Sequence, residues 1–314
     1  MKPDVLQMGA YPDWDQAPLE ARYTMHRYFE AADKAAFLAE VGPKIRAIAT
    51  RGDLGAGGAI IAACPKLEII TVNGVGYDAV DLEAARARGI RVTNTPDVLN
   101  GECADIAVGM AIALARGIVG GEAHARSGAW AAKGPYPLQK RFWGQRAGIL
   151  GLGRIGMEVG RRLAGFGMKI SYLSRGPKET PGWQFIADPV DLAKASDFLF
   201  VTALANASTR HIVNKAVIEA LGPQGMLINI SRAANVDELA LLDALEDGRL
   251  GWAALDVFEG EPKVNPRFAA LPNVLMQPHV GSGTVETRVA MGKLMLDNLT
   301  AHFDGKALLT EVAL

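Results

Sequence analysis

The sequence predicts an α/β protein built from two doubly wound domains. Three observations carry this reading: short apolar runs of strand length, helix-compatible stretches between them, and a glycine motif, GLGRIG, directly behind one such run. The 314 residues suit roughly two domains. With 49% hydrophobic and 21% charged residues, the chain has the composition of a folded protein rather than a disordered one. Its 35 glycines follow no three-residue period, which excludes collagen and points to tight turns and close backbone approaches.

In the first hundred residues, Ile45 to Ala49, Leu67 to Val72 and Ile90 to Thr93 read as buried parallel strands. Between the last two lies DAVDLEAARARG, a helix with Asp78 or Asp81 as cap and Gly89 as stop. ECADIAVGMAIALARG follows, apolar over most of its circumference, so it is expected as a buried helix with Asp105 and Arg116 as satisfied ends. The second alternating series is clearer. QRAGILGLGRIG leads into a helical pattern ending at Gly167, with Val159, Leu163 and Phe166 on one stripe, and then the strand MKISYL. DFLFV, MLINIS, WAALDVF and NVLMQPH bring the series to six strands, separated by helical stretches such as VDELALLDALEDG. Glu286 to Phe303 reads as a last helix, expected to pack back against the first domain.

Several function classes fall away on composition. Thirty-three basic residues balance thirty-four acidic ones, and no basic stripe is present, so a nucleic-acid partner is not expected. Cys64 and Cys103 form no CxxC pair and read as small buried hydrophobes in a reducing compartment. MKPDVLQMGAYPDWDQ lacks the apolar core of a signal peptide, and the most apolar helical stretch, Ala104 to Ala115, falls short of the roughly twenty residues a membrane span needs. The expectation is a cytoplasmic protein with no membrane partner. The five histidines show no metal-ligand spacing, so no metal is expected.

Gly151, Gly153 and Gly156 stand between strand and helix, in the order a dinucleotide-binding loop requires. The first permits the tight turn, the second lets backbone approach a pyrophosphate, and the third gives the helix room against the strand. The amides of Arg154 and Ile155 open that helix, where phosphate charge is favoured. An NAD site usually places Asp or Glu some twenty residues beyond the first glycine. Here the corresponding turn holds Ser174 and Arg175, with Lys178 close behind and no carboxylate before Glu179. Such a turn suits a 2′-phosphate, and NADP is expected over a weaker NAD. A solvated turn with an ordinary surface arginine is the competing reading.

His279 follows the final strand of the series in NVLMQPHVGSGT, Arg232 follows MLINIS, and Glu261 follows ALDVF. Ligand sites in such sheets lie beyond the carboxyl ends of the strands. Arg232 can hold and polarise an anionic carbonyl substrate, His279 can exchange a proton with its oxygen, and Glu261 can orient the imidazole. Structural ion pairs and helix caps are the competing reading. His211 needs no more than a capping or structural role, and His26, His124 and His302 read as surface or packing residues. In VNGVGYDAVD, the small residues around Val75 and Gly76 permit close contact between an anion and backbone donors; a tight turn is the alternative.

These residues carry a family resemblance. VNGVGYDAVD, RVTNTPDVLN, GLGRIG, INISRA, ALDVFEGEP and PHVGSGT occur in the order of the D-isomer-specific 2-hydroxyacid dehydrogenases, and the chain looks most like the NADP-dependent glyoxylate/hydroxypyruvate reductase branch. The resemblance implies two Rossmann-like domains. A cofactor domain, residues 99–285, is inserted into a discontinuous flavodoxin-like substrate domain, residues 1–98 and 286–314. It implies reduction of a small 2-oxoacid, or oxidation of a D-2-hydroxyacid, with Arg232 gripping substrate, His279 as general acid and Glu261 paired to it. It further implies that Val75 and Gly76 receive the substrate carboxylate, that Asp256 contacts the nicotinamide side, and that the protein is a homodimer, to which Ala104 to Ala115 is a candidate contributor. Three departures stand out: Ala233 replaces a common glycine beside Arg232, VTALANAST replaces a more proline- or glycine-rich stretch, and Cys103 takes a usually aliphatic position. A partner tryptophan enters the site in some relatives, but the surroundings of Trp130 do not match that motif. A D-3-phosphoglycerate or D-lactate dehydrogenase and a dinucleotide-sensing binding protein are the alternative functions.

Overall fold

The computed structural model describes residues 2–314 and divides into two compact units, Met1–Leu99 with Gly283–Leu314, and Asn100–Ser282. The first unit holds β1 (Asp4–Gln7), β2 (Thr24–Arg27), β3 (Ala47–Arg51), β4 (Ile69–Asn73) and β5 (Arg91–Thr93). All pair in parallel, in the order β2-β1-β3-β4-β5, a flavodoxin-like arrangement. Apolar runs at residues 45–49, 67–72 and 90–93 mark β3, β4 and β5, each strand starting one or two residues later than its run. β1 and β2 escape the apolar-run criterion because DVLQ holds two apolar residues and TMHR one, and β2 is a half-exposed edge.

Asp81, not Asp78, caps the helix Leu82–Ala87, its carboxylate accepting from the Ala84 amide, and Gly89 takes a left-handed φ of 64° beyond its end. The last helix, Val285–Phe303, packs on β4 and on the helix Asp13–Arg22 of its own unit. Asn298 sits fully buried on it and ties down the C-terminal segment. Its Oδ1 accepts from the Leu309 and Thr310 amides at 3.0 and 3.2 Å, and its Nδ2 donates to Thr310 Oγ1 and to the Leu294 carbonyl.

The second unit holds β6 (Arg146–Leu150), β7 (Lys169–Leu173), β8 (Gln184–Phe185), β9 (Phe198–Val201), β10 (Met226–Asn229), β11 (Trp252–Leu255) and β12 (Val274–Met276). The order is β12-β11-β10-β9-β6-β7-β8, again all parallel. Six of these strands carry the expected sequences; β8, a two-residue edge, is too short to leave a pattern. Both faces of the sheet are covered. Ile149, Phe198, Phe200 and Ile228 turn toward the helices Asn100–Ala115 and Arg154–Gly165, while Leu150, Leu199, Val201 and Leu227 turn to the opposite core with Val217 and Leu242. That is why these strands read as continuous apolar runs rather than alternating ones.

The apolar helix extends over Asn100–Ala115 and buries Ala104, Ala107, Val108, Met110, Ala111 and Ala115 inside its own unit. Most of its apolar surface is therefore spent in the core, as expected of a buried helix. Asp105 is satisfied by Arg162 Nε at 2.5 Å. Among the described residues, no single helix is long and apolar enough to cross a membrane.

Asn298→Ala strips two part-buried amides of their acceptor, and lost partners of this kind cost about 1–2 kcal/mol each. Urea unfolding is expected to show a loss of about 2–4 kcal/mol, with the C-terminal amides Leu309 and Thr310 losing hydrogen-exchange protection.

Candidate active site

Parallel pairing places the carboxyl ends of all seven strands of the second unit along one edge. Directly after β6, the three glycines have three different physical reasons. Gly151 has φ 103°, and a Cβ there would sit 2.5 Å from the backbone of Ala203, which follows β9. Gly156 faces the Gly151 carbonyl at 2.4 Å by the same measure, so helix and strand touch. Around Gly153 a Cβ would meet nothing within 4 Å, leaving open space in front of a helix N-terminus that no side chain caps. Arg154 and Ile155 begin that twelve-residue helix. Open space, backbone donors and the positive helix end together fit a pyrophosphate. The stripe behind them is as expected: Val159 and Leu163 are fully buried, and Phe166 packs edge-on against Phe142.

Beyond β7 the turn is closed by its own groups. Ser174 Oγ donates to the Gly176 carbonyl at 2.6 Å, and Arg175 is exposed. Lys178 Nζ reaches back to the Leu152 carbonyl at 2.6 Å, joining this turn to the glycine loop. No carboxylate stands among Ser174, Arg175, Gly176, Pro177 and Lys178.

At the other end of the edge, three strands contribute the reactive candidates. Glu261 Oε2 lies 2.7 Å from His279 Nδ1, and Glu261 Oε1 accepts from the Phe258 amide at 2.7 Å. Burial opposes ionisation of Glu261, yet the hydrogen bonds from His279 and Phe258 and the charges of His279 and Arg232 outweigh it, holding the carboxyl below its ordinary range. Arg232, Glu261 and His279 thus share one electrostatic neighbourhood although far apart in sequence. His279 has φ 54°, a left-handed backbone that a non-glycine residue adopts at a cost of order 1–3 kcal/mol.

The next two residues explain how that conformation is held. Both oxygens of Asp256, which is 1% exposed, accept backbone amides, from Val280 and Gly281, each at 2.8 Å. Burial raises the Asp256 pKa against the pull of those amides. In this structure Asp256 therefore anchors the loop carrying His279. Arg232 is fixed by a buried amide pair: Asn229 Nδ2 donates to the Arg232 carbonyl at 3.1 Å, and Asn235 Nδ2 joins Ser231 Oγ to the Ala203 carbonyl. Ala233 opens a short 3₁₀ turn with negative φ, so the alanine costs nothing where glycine is common. VTALANAST closes its turn by side chains instead, through Asn206 and Thr209.

The remaining histidines are elsewhere engaged. His26 pairs with Asp4, His302 with Glu68, and His124 with the Gly134 carbonyl. His211 is no cap; Asn214 caps the following helix, and His211 takes φ 50° with its amide on the Ala234 carbonyl. Cys103 is a buried thiol and Trp130 is exposed. In the first unit, Asn94 Nδ2 holds the Val75 carbonyl at 2.9 Å and Thr95 brackets Gly74. Among the described residues, the Val75 and Gly76 amides have no acceptor. Sequence reading passes over Asn229, Asn235 and the anchoring role of Asp256, since an isolated Asn or Asp at a strand end carries no spacing signal.

A doubly wound sheet with this glycine loop defines a dinucleotide-binding oxidoreductase fold. The family model for the NAD binding domain of D-isomer specific 2-hydroxyacid dehydrogenases matches residues 108–281. The chain is 46% identical to hydroxyphenylpyruvate reductase of Plectranthus scutellarioides over 98% of each chain. Among solved structures it resembles a 2-hydroxyacid dehydrogenase from Ketogulonicigenium vulgare Y25 (66% identity, TM-score 0.94, covering 100% of this chain and 99% of that one). It also resembles an NADPH-dependent glyoxylate/hydroxypyruvate reductase from Sinorhizobium meliloti in complex with NADP and malonate (41% identity, TM-score 0.94, 100% and 97%). The protein belongs to the D-isomer-specific 2-hydroxyacid dehydrogenase family.

Gly151→Ala and Gly153→Ala separate the two uses of the loop. The first is expected to lose about 1–3 kcal/mol of stability through strain and clash. The second should keep wild-type stability in denaturant titration and lose cofactor affinity in a fluorescence titration.

Proposed function

We propose that the protein is an NADPH-dependent reductase of small 2-oxoacids, converting glyoxylate and hydroxypyruvate to glycolate and D-glycerate. The observation that carries this reading is the His279–Glu261 pair at 2.7 Å, within the field of Arg232. When bound, the nicotinamide supplies hydride to the substrate carbonyl carbon. His279 donates the proton that the developing alkoxide requires, from the ring nitrogen opposite the one held by Glu261. Glu261, kept ionised, favours the protonated imidazole and fixes its orientation. Arg232 binds the substrate and polarises its carbonyl. In the first unit, the amides of Val75 and Gly76 are candidate donors to a carboxylate, as backbone donors are in an anion nest.

NADP over NAD is supported by the Ser174–Lys178 turn, which offers two cations and no carboxylate for a ribose diol, the Ser174 proton being held by the Gly176 carbonyl. The Sinorhizobium meliloti relative is NADPH-dependent, in agreement with this assignment. A second substrate reading, an aromatic 2-oxoacid, is favoured by the 46% identity to hydroxyphenylpyruvate reductase. Matched reduction assays with glyoxylate, hydroxypyruvate, hydroxyphenylpyruvate, pyruvate and phosphohydroxypyruvate decide between them. No turnover of any of these with NADPH or NADH would favour a dinucleotide sensor. We further assign a homodimer. Ile118, Val119, Trp130 and Leu138, all exposed and following the Asn100–Ala115 helix in the chain, are candidate contacts alongside the partly buried residues of that helix.

His279→Ala is expected to lower turnover by about 10²–10⁴-fold while leaving NADPH binding intact; near-normal turnover would remove His279 as proton donor. Glu261→Gln is expected to lower turnover while leaving NADPH binding intact, because the neutral amide no longer offers the imidazole a charged acceptor that fixes its orientation. Arg232→Ala weakens both substrate affinity and turnover.

Arg175→Ala is expected to weaken NADPH binding by about 10–150-fold, the loss of a charge-assisted phosphate contact. Equal NADPH and NADH efficiencies in the unmodified protein would overturn the cofactor assignment.

A further inference from the structure

Tyr172 lies on β7, 1% exposed, its ring centroid 5.7 Å from that of Phe185 on the edge strand β8. Its partners on the adjacent strands, Ile149 and Phe185, are apolar, and a phenylalanine would satisfy the core equally well. The hydroxyl is what a core position does not need. It accepts from the Lys178 amide at 2.8 Å and donates to the Lys178 carbonyl at 3.0 Å, so one buried oxygen satisfies both backbone groups of a single residue. Six residues separate Tyr172 from Lys178, and the intervening turn contains Ser174 and Arg175. Two further bonds tighten the same turn: Ser174 Oγ to the Gly176 carbonyl, and Lys178 Nζ to the Leu152 carbonyl in the glycine loop.

We propose that Tyr172 is a positioning residue for cofactor choice. Its hydroxyl clamps the base of the Ser174–Lys178 turn, so that the turn, with Ser174 tied to the Gly176 carbonyl, presents Arg175 to a 2′-phosphate in a fixed geometry. This inference rests on the assignment of that turn to the 2′-phosphate. The physical argument is preorganisation. An exposed arginine on a loose turn must be ordered when the phosphate arrives, whereas a turn tied at both ends has already met that entropic cost. Nothing in NADH uses the extra order, because NADH carries no phosphate there. The clamp therefore acts on one cofactor and not on the other.

Tyr172→Phe removes only the oxygen and keeps the ring that packs the core. Fluorescence titration of wild type, Y172F and R175A with NADPH and NADH reads the effect, with competition by 2′,5′-ADP and 5′-ADP as probes of the phosphate alone. Y172F is expected to weaken NADPH and 2′,5′-ADP by about five- to twentyfold. NADH and 5′-ADP should stay within about twofold of wild type, as a selective loss of two hydrogen bonds requires. Hydrogen exchange on the cofactor-free protein should show the Lys178 amide protected in wild type and released in Y172F. Equal weakening of both cofactors, or a released Lys178 amide with unchanged NADPH affinity, overturns the clamp while leaving the phosphate assignment standing, provided wild type prefers NADPH and R175A loses that preference. A wild type that binds both cofactors equally, or an R175A variant with undiminished NADPH affinity, overturns the phosphate assignment and the clamp with it.

Discussion

Parallel strand pairing is the constraint on which the larger unit depends. Every strand of its sheet runs the same way, so each connection must cross back over a face, and both faces are buried by what crosses. The consequence is an edge where seven strands end together. Backbone amides and carbonyls at such an edge have left the ladder and need new partners. The protein meets that need with side chains at Asn229, Asn235, Asp256 and Glu261, and these same residues set the geometry of the candidate site.

Asp256 and Glu261 show how one loop pair is built from opposite electrostatic circumstances. Asp256 is buried, spends both oxygens on backbone amides, and has a raised pKa. Glu261 is less buried, faces an imidazole and an arginine charge, and is held ionised. The first carboxyl supports His279 through the backbone that follows it; the second meets the ring itself. Left-handed backbone at His279 is tolerable because both of these anchors hold it from different directions.

The glycine loop makes a similar point about space. Of its three glycines, two are required by backbone that already touches them, and the third by room that nothing in the chain fills. Tyr172 is the complementary case, a polar atom in a packed strand whose only use is in the turn beyond.

The sequence by itself determined the strand and helix content of the second unit, because strands buried on both faces must be apolar throughout and their helices must carry stripes. It also located Gly151, Gly153, Gly156, Arg232, Glu261 and His279 at strand ends, since those positions follow apolar runs directly. It could not show β2 or β8, whose edge positions and short lengths leave no pattern. Only the tertiary structure decided that Asp256 anchors the His279 loop, that Asn229 and Asn235 fix Arg232, and that Tyr172 holds the Ser174–Lys178 turn. Those of Asp256 to Val280 and Gly281 and of Asn235 to Ala203 join residues distant in the chain, and all are directional, so they depend on angles and distances that composition and spacing do not encode.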